Sequence, residues 1–119
     1  MKIVLTGRVA SKKNSKRLVK VGGRVIPISS KSWKAFEKKA LEEIEPQIEE
    51  MLSPPYKVDY VFYMRGKGGT DIDNMMAGIN DIVEKAGAIE NDKDILEVKA
   101  KKIIQSKDYI TLVNIQSKA

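Results

Sequence analysis

The stretch from Gly68 to Ile95 reads GGTDIDNMMAGINDIVEKAGAIENDKDI and holds Asp71, Asp73, Asp81, Glu90, Asp92 and Asp94. Carboxylates this dense repel one another unless they are held apart, protonated or sharing a cation. The chain has no histidine and no cysteine. Serine-histidine and cysteine-histidine nucleophile systems are therefore excluded, as are zinc sites built on imidazole or thiolate. Any hydrolytic chemistry must rest on carboxylates, lysines, hydroxyls or a hard metal ion. If Asp71, Asp73 and Asp92 converge, their oxygen-only donor set selects Mg²⁺ or Mn²⁺ over zinc. Such ions activate water and neutralise charge in phosphodiester cleavage.

Spacing allows this convergence without forcing it. Asp71 and Asp73 are two residues apart, so an extended segment would point both to one side. They precede a helical pattern whose N-terminus favours negative charge. Asp73 is equally placed to cap that helix, the commoner role for an aspartate there, but a cap uses only one of the two. A helix over Asn74–Ala86, 13 residues, rises about 20 Å, and six extended steps from Ala86 to Asp92 span up to about 20 Å. The chain can therefore just return to the helix start. Asp81, eight residues after Asp73, reads as a half-exposed salt-bridge partner ahead of a further ligand or general base. Glu90 and Asp94 read as surface charges.

Charge divides the 119-residue chain. Residues 1–39 carry nine Lys, three Arg and one Glu, a balance of +11, whereas residues 40–119 carry ten basic and fifteen acidic residues, a balance of −5. A basic front beside an acidic back suggests a polyanion-binding face next to a cation-binding one. The densest basic loop is ASKKNSKR, with Lys12, Lys13, Asn14, Lys16 and Arg17, and Lys20 and Arg24 extend it. RGKGGT reads as a flexible loop whose Arg65 and Lys67 touch phosphate. Its GKGG lacks the Lys-Ser/Thr of a nucleotide-binding loop, so no nucleotide cofactor is expected. No signal-peptide core and no span of roughly 18 apolar residues is present, and a cytoplasmic, membrane-free setting is expected.

The elements that must position these residues follow an α+β pattern, with a mixed β-sheet and two main helices in the order β-ββ-α-β-α-ββ, in a single domain over 1–119. KIVLTGRV is a strand, and LVKVGGRVIPI is a hairpin around Gly22-Gly23 with Pro27 at an edge. Trp33, Phe36, Ala40, Leu41 and Ile44 recur at helical spacing, and Pro46 should break that helix. YKVDYVFYM is a strand. Asp73 or Asn74 caps a second helix with Met75, Met76, Ile79, Ile82, Val83 and Ala86 as its apolar stripe, and Gly87 ends it. ILEVKAKKIIQ and YITLVNIQ are closing strands.

DIDN, one helix, and then AGAIENDKDI together resemble the signature of the RusA family of Holliday junction resolvases. ASKKNSKR and the chain length match too, so the resemblance covers nearly the whole chain. It implies a Mg²⁺-dependent (Mn²⁺ as substitute), structure-selective endonuclease, a homodimer acting on four-way junction DNA, with Asp71, Asp73 and Asp92 as metal ligands. Two positions depart from the family pattern. Asn91 stands where an Asp often does and can still offer a carbonyl. Ala77, four residues after Asp73, stands where some members carry a catalytic lysine. Lys93, beside Asp92, is the preferred substitute and Lys67 the other. A prophage origin is also implied. The competing reading is a non-catalytic DNA-binding phage regulator, which explains the charge but not the clustered aspartates. A DNA-mimicking protein-binding module explains the aspartates but not the basic front.

Overall fold

The computed structural model describes residues 1–10, 16–29 and 31–119, with the side chains of 16–21 and 25–29 outside that description. Six strands and two helices follow the expected order: β1 Lys2–Thr6, β2 Lys16–Val21, β3 Arg24–Ser29, α1 Lys31–Ile44, β4 Tyr56–Tyr63, α2 Ile72–Lys85, β5 Ile95–Ile103 and β6 Ile110–Ser117. Strands β2 and β3 form a separate antiparallel ribbon turning at Gly22-Gly23, with Pro27 opposite Leu18. The other four form a mixed sheet in the order β1-β6-β4-β5, in which only β4 and β5 run parallel.

One face of the sheet is the core. Alternation along β4 buries Tyr56, Val58, Tyr60 and Phe62, and the register sets Ile3, Val113, Tyr60 and Ala100 in one row and Leu5, Thr111, Phe62 and Lys102 in the next. The α2 stripe of Met75, Ile79, Ile82 and Val83 is buried with Trp33, Ala40 and Ile44 of α1. Burying such side chains contributes about 1.5–3 kcal/mol each, which is what holds helices to sheet. The opposite face carries Val4, Leu112 and Val61 in one row and Lys2, Asn114, Asp59 and Lys99 in the next.

Helix α1 also seals an edge. Lys39, Glu43 and Gln47 recur every four residues, one stripe of a helical surface. Gln47 both accepts from Val4 N–H and donates to Val4 C=O, at 2.8 Å each. Glu43 accepts from the backbone and hydroxyl of Thr6, and Lys39 reaches Thr6 C=O. An unpaired strand edge is a template for aggregation, and these side chains occupy it. Pro46 ends α1 as expected, turning Glu45–Gln47 into a 3-10 turn that delivers Gln47.

Helix α2 starts two residues earlier than its pattern suggests, so Asp71 rather than Asp73 takes the N-cap position and Asp73 lies in the first turn. The expected shared side of an extended segment is thereby replaced: Asp71 is extended and Asp73 helical. The far end is a Schellman closure, with Gly87 N–H donating to Glu84 C=O and Ala88 N–H to Val83 C=O.

Candidate active site

Asp71 has φ −65° and ψ 139°, the backbone of an N-cap, and its C=O accepts from Met75 N–H at 3.1 Å. Its side chain makes no capping hydrogen bond. An aspartate in that position normally gains about 1 kcal/mol by accepting from the first-turn N–H groups. The carboxylate instead stays exposed, one helical turn-start away from the equally exposed Asp73. Both sit at the N-terminal, positive end of the helix dipole.

The chain does return along α2. Tyr56, fully buried at the start of β4, donates its hydroxyl to Leu52 C=O and accepts from Glu90 N–H at 3.1 Å, while Leu52 N–H bonds Ala88 C=O. Asp92 then opens a 3-10 turn over Asp92–Asp94, and its N–H donates to Glu84 Oε1 at 3.3 Å. Asp73, Asn80 and Glu84 lie seven and eleven positions along one helix stripe. Asp92 is thus brought to the side of α2 that carries Asp73, but its backbone is tied to Glu84 in the helix's C-terminal half, about 16 Å of helix beyond Asp73. Among the described residues no three carboxylates stand close enough to hold one ion between them.

Tyr60 links this side of α2 to the sheet. Its hydroxyl donates to Asn80 Oδ1. Burial pushes its ionisation well above the usual value, the Asn80 bond opposes that, and the negative charge of Asp92 adds to it. Asp81 falls to the structural reading: Lys85 bridges it, at 3.2 Å, to Glu37 of α1. The Lys85 ammonium is raised chiefly by its bond to Glu37. Asn91 spends its carbonyl as a cap, accepting from Lys93 N–H at 2.9 Å, rather than presenting it free.

The loop before Asp71 is not the flexible segment its glycines suggest. Gly66 C=O accepts from Gln105 N–H, and Met64 C=O from Ser106 N–H. Lys102, inward-facing on β5, donates its ammonium to Gly68 C=O at 3.0 Å and Thr70 C=O at 3.1 Å. Gly68 has φ +66°, and a Cβ there would lie 2.9 Å from Ile104 Cγ2. Only glycine fits a turn pressed this closely onto the sheet. Four bonds to the end of β5 and the segment after it therefore hold the turn. Arg8, just beyond β1, donates Nη2 to Thr70 Oγ1 at 3.2 Å. Sequence reasoning missed both cations. Lys102 left a trace, because the alternation Val98, Ala100, Lys102 places a lysine in the inward phase of a strand; Arg8 left none.

Arg65, Lys67 and Lys93 are exposed. Lys12, Lys13 and Asn14 lie outside the described residues, as do the side chains of Lys16 and Arg17 on β2.

The profile of the endodeoxyribonuclease RusA family matches residues 7–116. The chain belongs to the RusA endodeoxyribonuclease family. It is similar to the crossover junction endodeoxyribonuclease RusA of Aquifex aeolicus (strain VF5), 33% identical over 94 residues that cover 76% of this chain and 72% of that protein. Within a RusA fold the D-x-D-N segment is thus the entry to α2, with Asn74 buried beneath it and the two aspartates outside. Among the described residues no helix is long and apolar enough to cross a membrane.

Proposed function

We propose that this RusA-family chain is a Mg²⁺-dependent endodeoxyribonuclease that resolves four-way DNA junctions by paired symmetric nicks, acting as a homodimer in DNA recombination and repair. The observation that carries this reading is Asp71, an N-cap aspartate whose carboxylate forgoes the cap and stands exposed beside that of Asp73. With no histidine or cysteine in the chain, the donors are oxygens only. Such a set fits a hard divalent ion, with Mn²⁺ as a substitute: Asp71 and Asp73 would hold it at the start of α2, while Asp92, the third ligand that the family resemblance implies, does not converge with them among the described residues. When bound, the ion supplies an activated water and charge neutralisation at the phosphodiester. The chain's own part is to orient that site and the DNA. Lys102 and the glycine turn fix the approach to Asp71, and the Tyr56 and Glu84 bonds hold the segment bearing Asp92.

Lys12, Lys13, Asn14, Lys16 and Arg17, with Arg65 and Lys67, form the proposed DNA surface, with Lys93 an exposed cation directly after Asp92. A four-way junction is close to two-fold symmetric, so a two-fold homodimer places one site at each of two equivalent strands. The family resemblance also favours a phage or prophage setting.

The test is nicking of a synthetic four-way junction by wild type and Asp73→Asn, with Mg²⁺ and with chelator. Two symmetric nicks are expected, abolished by the chelator and by the substitution. Without metal, Asp73→Asn should bind the junction as well as or better than wild type, because the aspartates repel phosphate until a cation is bound. Parallel loss of binding and cleavage would show that Asp73 holds the fold instead.

A further inference from the structure

We propose that Arg8 supplies the cationic group at the scissile phosphate, the role that α2 leaves vacant at Ala77. The inference rests on placing the cleavage centre at Asp71 and Asp73.

Cleavage of a phosphodiester builds negative charge on the phosphoryl oxygens, and a cation held in place before the reaction stabilises that charge best. Ala77 is exposed one turn after Asp73 and offers none. Lys67 and Lys93 are exposed, and neither ammonium makes a hydrogen bond or ion pair among the described residues. Arg8 differs from both. Its backbone is anchored next door, where Gly7 N–H donates to Tyr109 C=O at 3.0 Å. Its guanidinium carbon lies 5.9 Å from the centre of the Tyr109 ring, within cation–π reach. Its Nη2 bonds Thr70 Oγ1, the residue directly before Asp71. The ideal Cβ position of Gly69 is only 4.0 Å from the same nitrogen, so the guanidinium lies against the turn that leads into the D-x-D segment.

These contacts hold the group without consuming it. Arg8 is exposed, and no carboxylate pairs with it among the described residues. One of five N–H donors is used, and the planar fork left over matches two oxygens of a phosphate, which an ammonium cannot do. A phosphate approaching two aspartates meets repulsion that this guanidinium, on the adjoining residue's side chain, would offset.

The test compares wild type, Asp73→Asn, Arg8→Ala, Arg8→Lys, Lys67→Ala and Lys93→Ala on a synthetic four-way junction. Single-turnover rates are read with Mg²⁺ at saturating protein, junction affinity is read without metal, and a thermal melt checks folding. Arg8→Ala should lose about 100-fold or more in rate, the usual effect of removing one preorganised donor, with about 10-fold or less in affinity. Arg8→Lys should recover part of the rate. Added guanidinium ion should restore Arg8→Ala but not Asp73→Asn, which a purely structural arginine would not show. A wild-type rate for Arg8→Ala, or equal losses of rate and affinity, overturns the proposal while an active wild type and a dead Asp73→Asn leave the cleavage centre standing. A wild type that does not nick, or an Asp73→Asn that nicks at full rate, removes the centre and the role of Arg8 with it.

Discussion

Replacing Lys102 with methionine keeps most of the side-chain volume and deletes only the ammonium. In the folded chain that group makes two charge-assisted hydrogen bonds, to Gly68 C=O and Thr70 C=O. Each such bond contributes up to about 1.5–3 kcal/mol when fully buried. The contacts here are half-buried, and water can reach the released carbonyls. The net loss should therefore be nearer 1–2 kcal/mol in total, after that discount. The larger consequence is positional. Thr70 leads directly into Asp71, and a catalytic group displaced by about 1 Å can cost on the order of 100-fold in rate. Lys102→Met should thus lower the urea midpoint modestly and the single-turnover junction cleavage rate steeply, with junction affinity nearly unchanged. Unaltered stability and rate would show that the turn holds itself. A loss of affinity matching the loss of rate would show that Lys102 touches DNA directly.

Three further outcomes are expected. Gln47→Ala removes both bonds to Val4 on the β1 edge, so it should cost about 1 kcal/mol in a urea melt and raise self-association by light scattering; neither change would mean that Glu43 and Lys39 protect the edge without it. The Tyr60 phenol is favoured over its phenolate in the fold, so its contribution is complete below its ordinary value of 10.0 and is lost as pH rises through the raised folded value. Wild-type stability should then fall above pH 10 more steeply than that of Tyr60→Phe, and identical slopes in urea melts against pH would refute the assignment. Replacing Lys12, Lys13, Lys16 and Arg17 together should flatten the log affinity against log salt slope by about 3–4 per protomer, if each neutralises one phosphate; an unchanged slope would move the DNA surface elsewhere.

Sequence by itself determined whatever depends on near neighbours. The hairpin at Gly22-Gly23, the break at Pro46, the α2 stripe and the Gly87 stop all follow from backbone preference and periodicity over a few residues. The D-x-D motif and the absence of histidine and cysteine likewise narrow the chemistry by themselves. The start of α2 is not legible locally, because Asp71 and Asp73 are both acceptable caps and local propensity does not choose between them. Only tertiary structure decided how the sheet is ordered, with the parallel β4–β5 pair formed across α2. Only tertiary structure, too, brought Arg8 to Thr70, 62 residues away, and Lys102 to Gly68, 34 residues away. A glycine-rich loop looks mobile when read along the chain, because its restraints come from strands far away in sequence. Those restraints exist only after the sheet has paired, which is why the surroundings of Arg8 gave no sign of its place and those of Lys102 showed only an inward phase, not its partners.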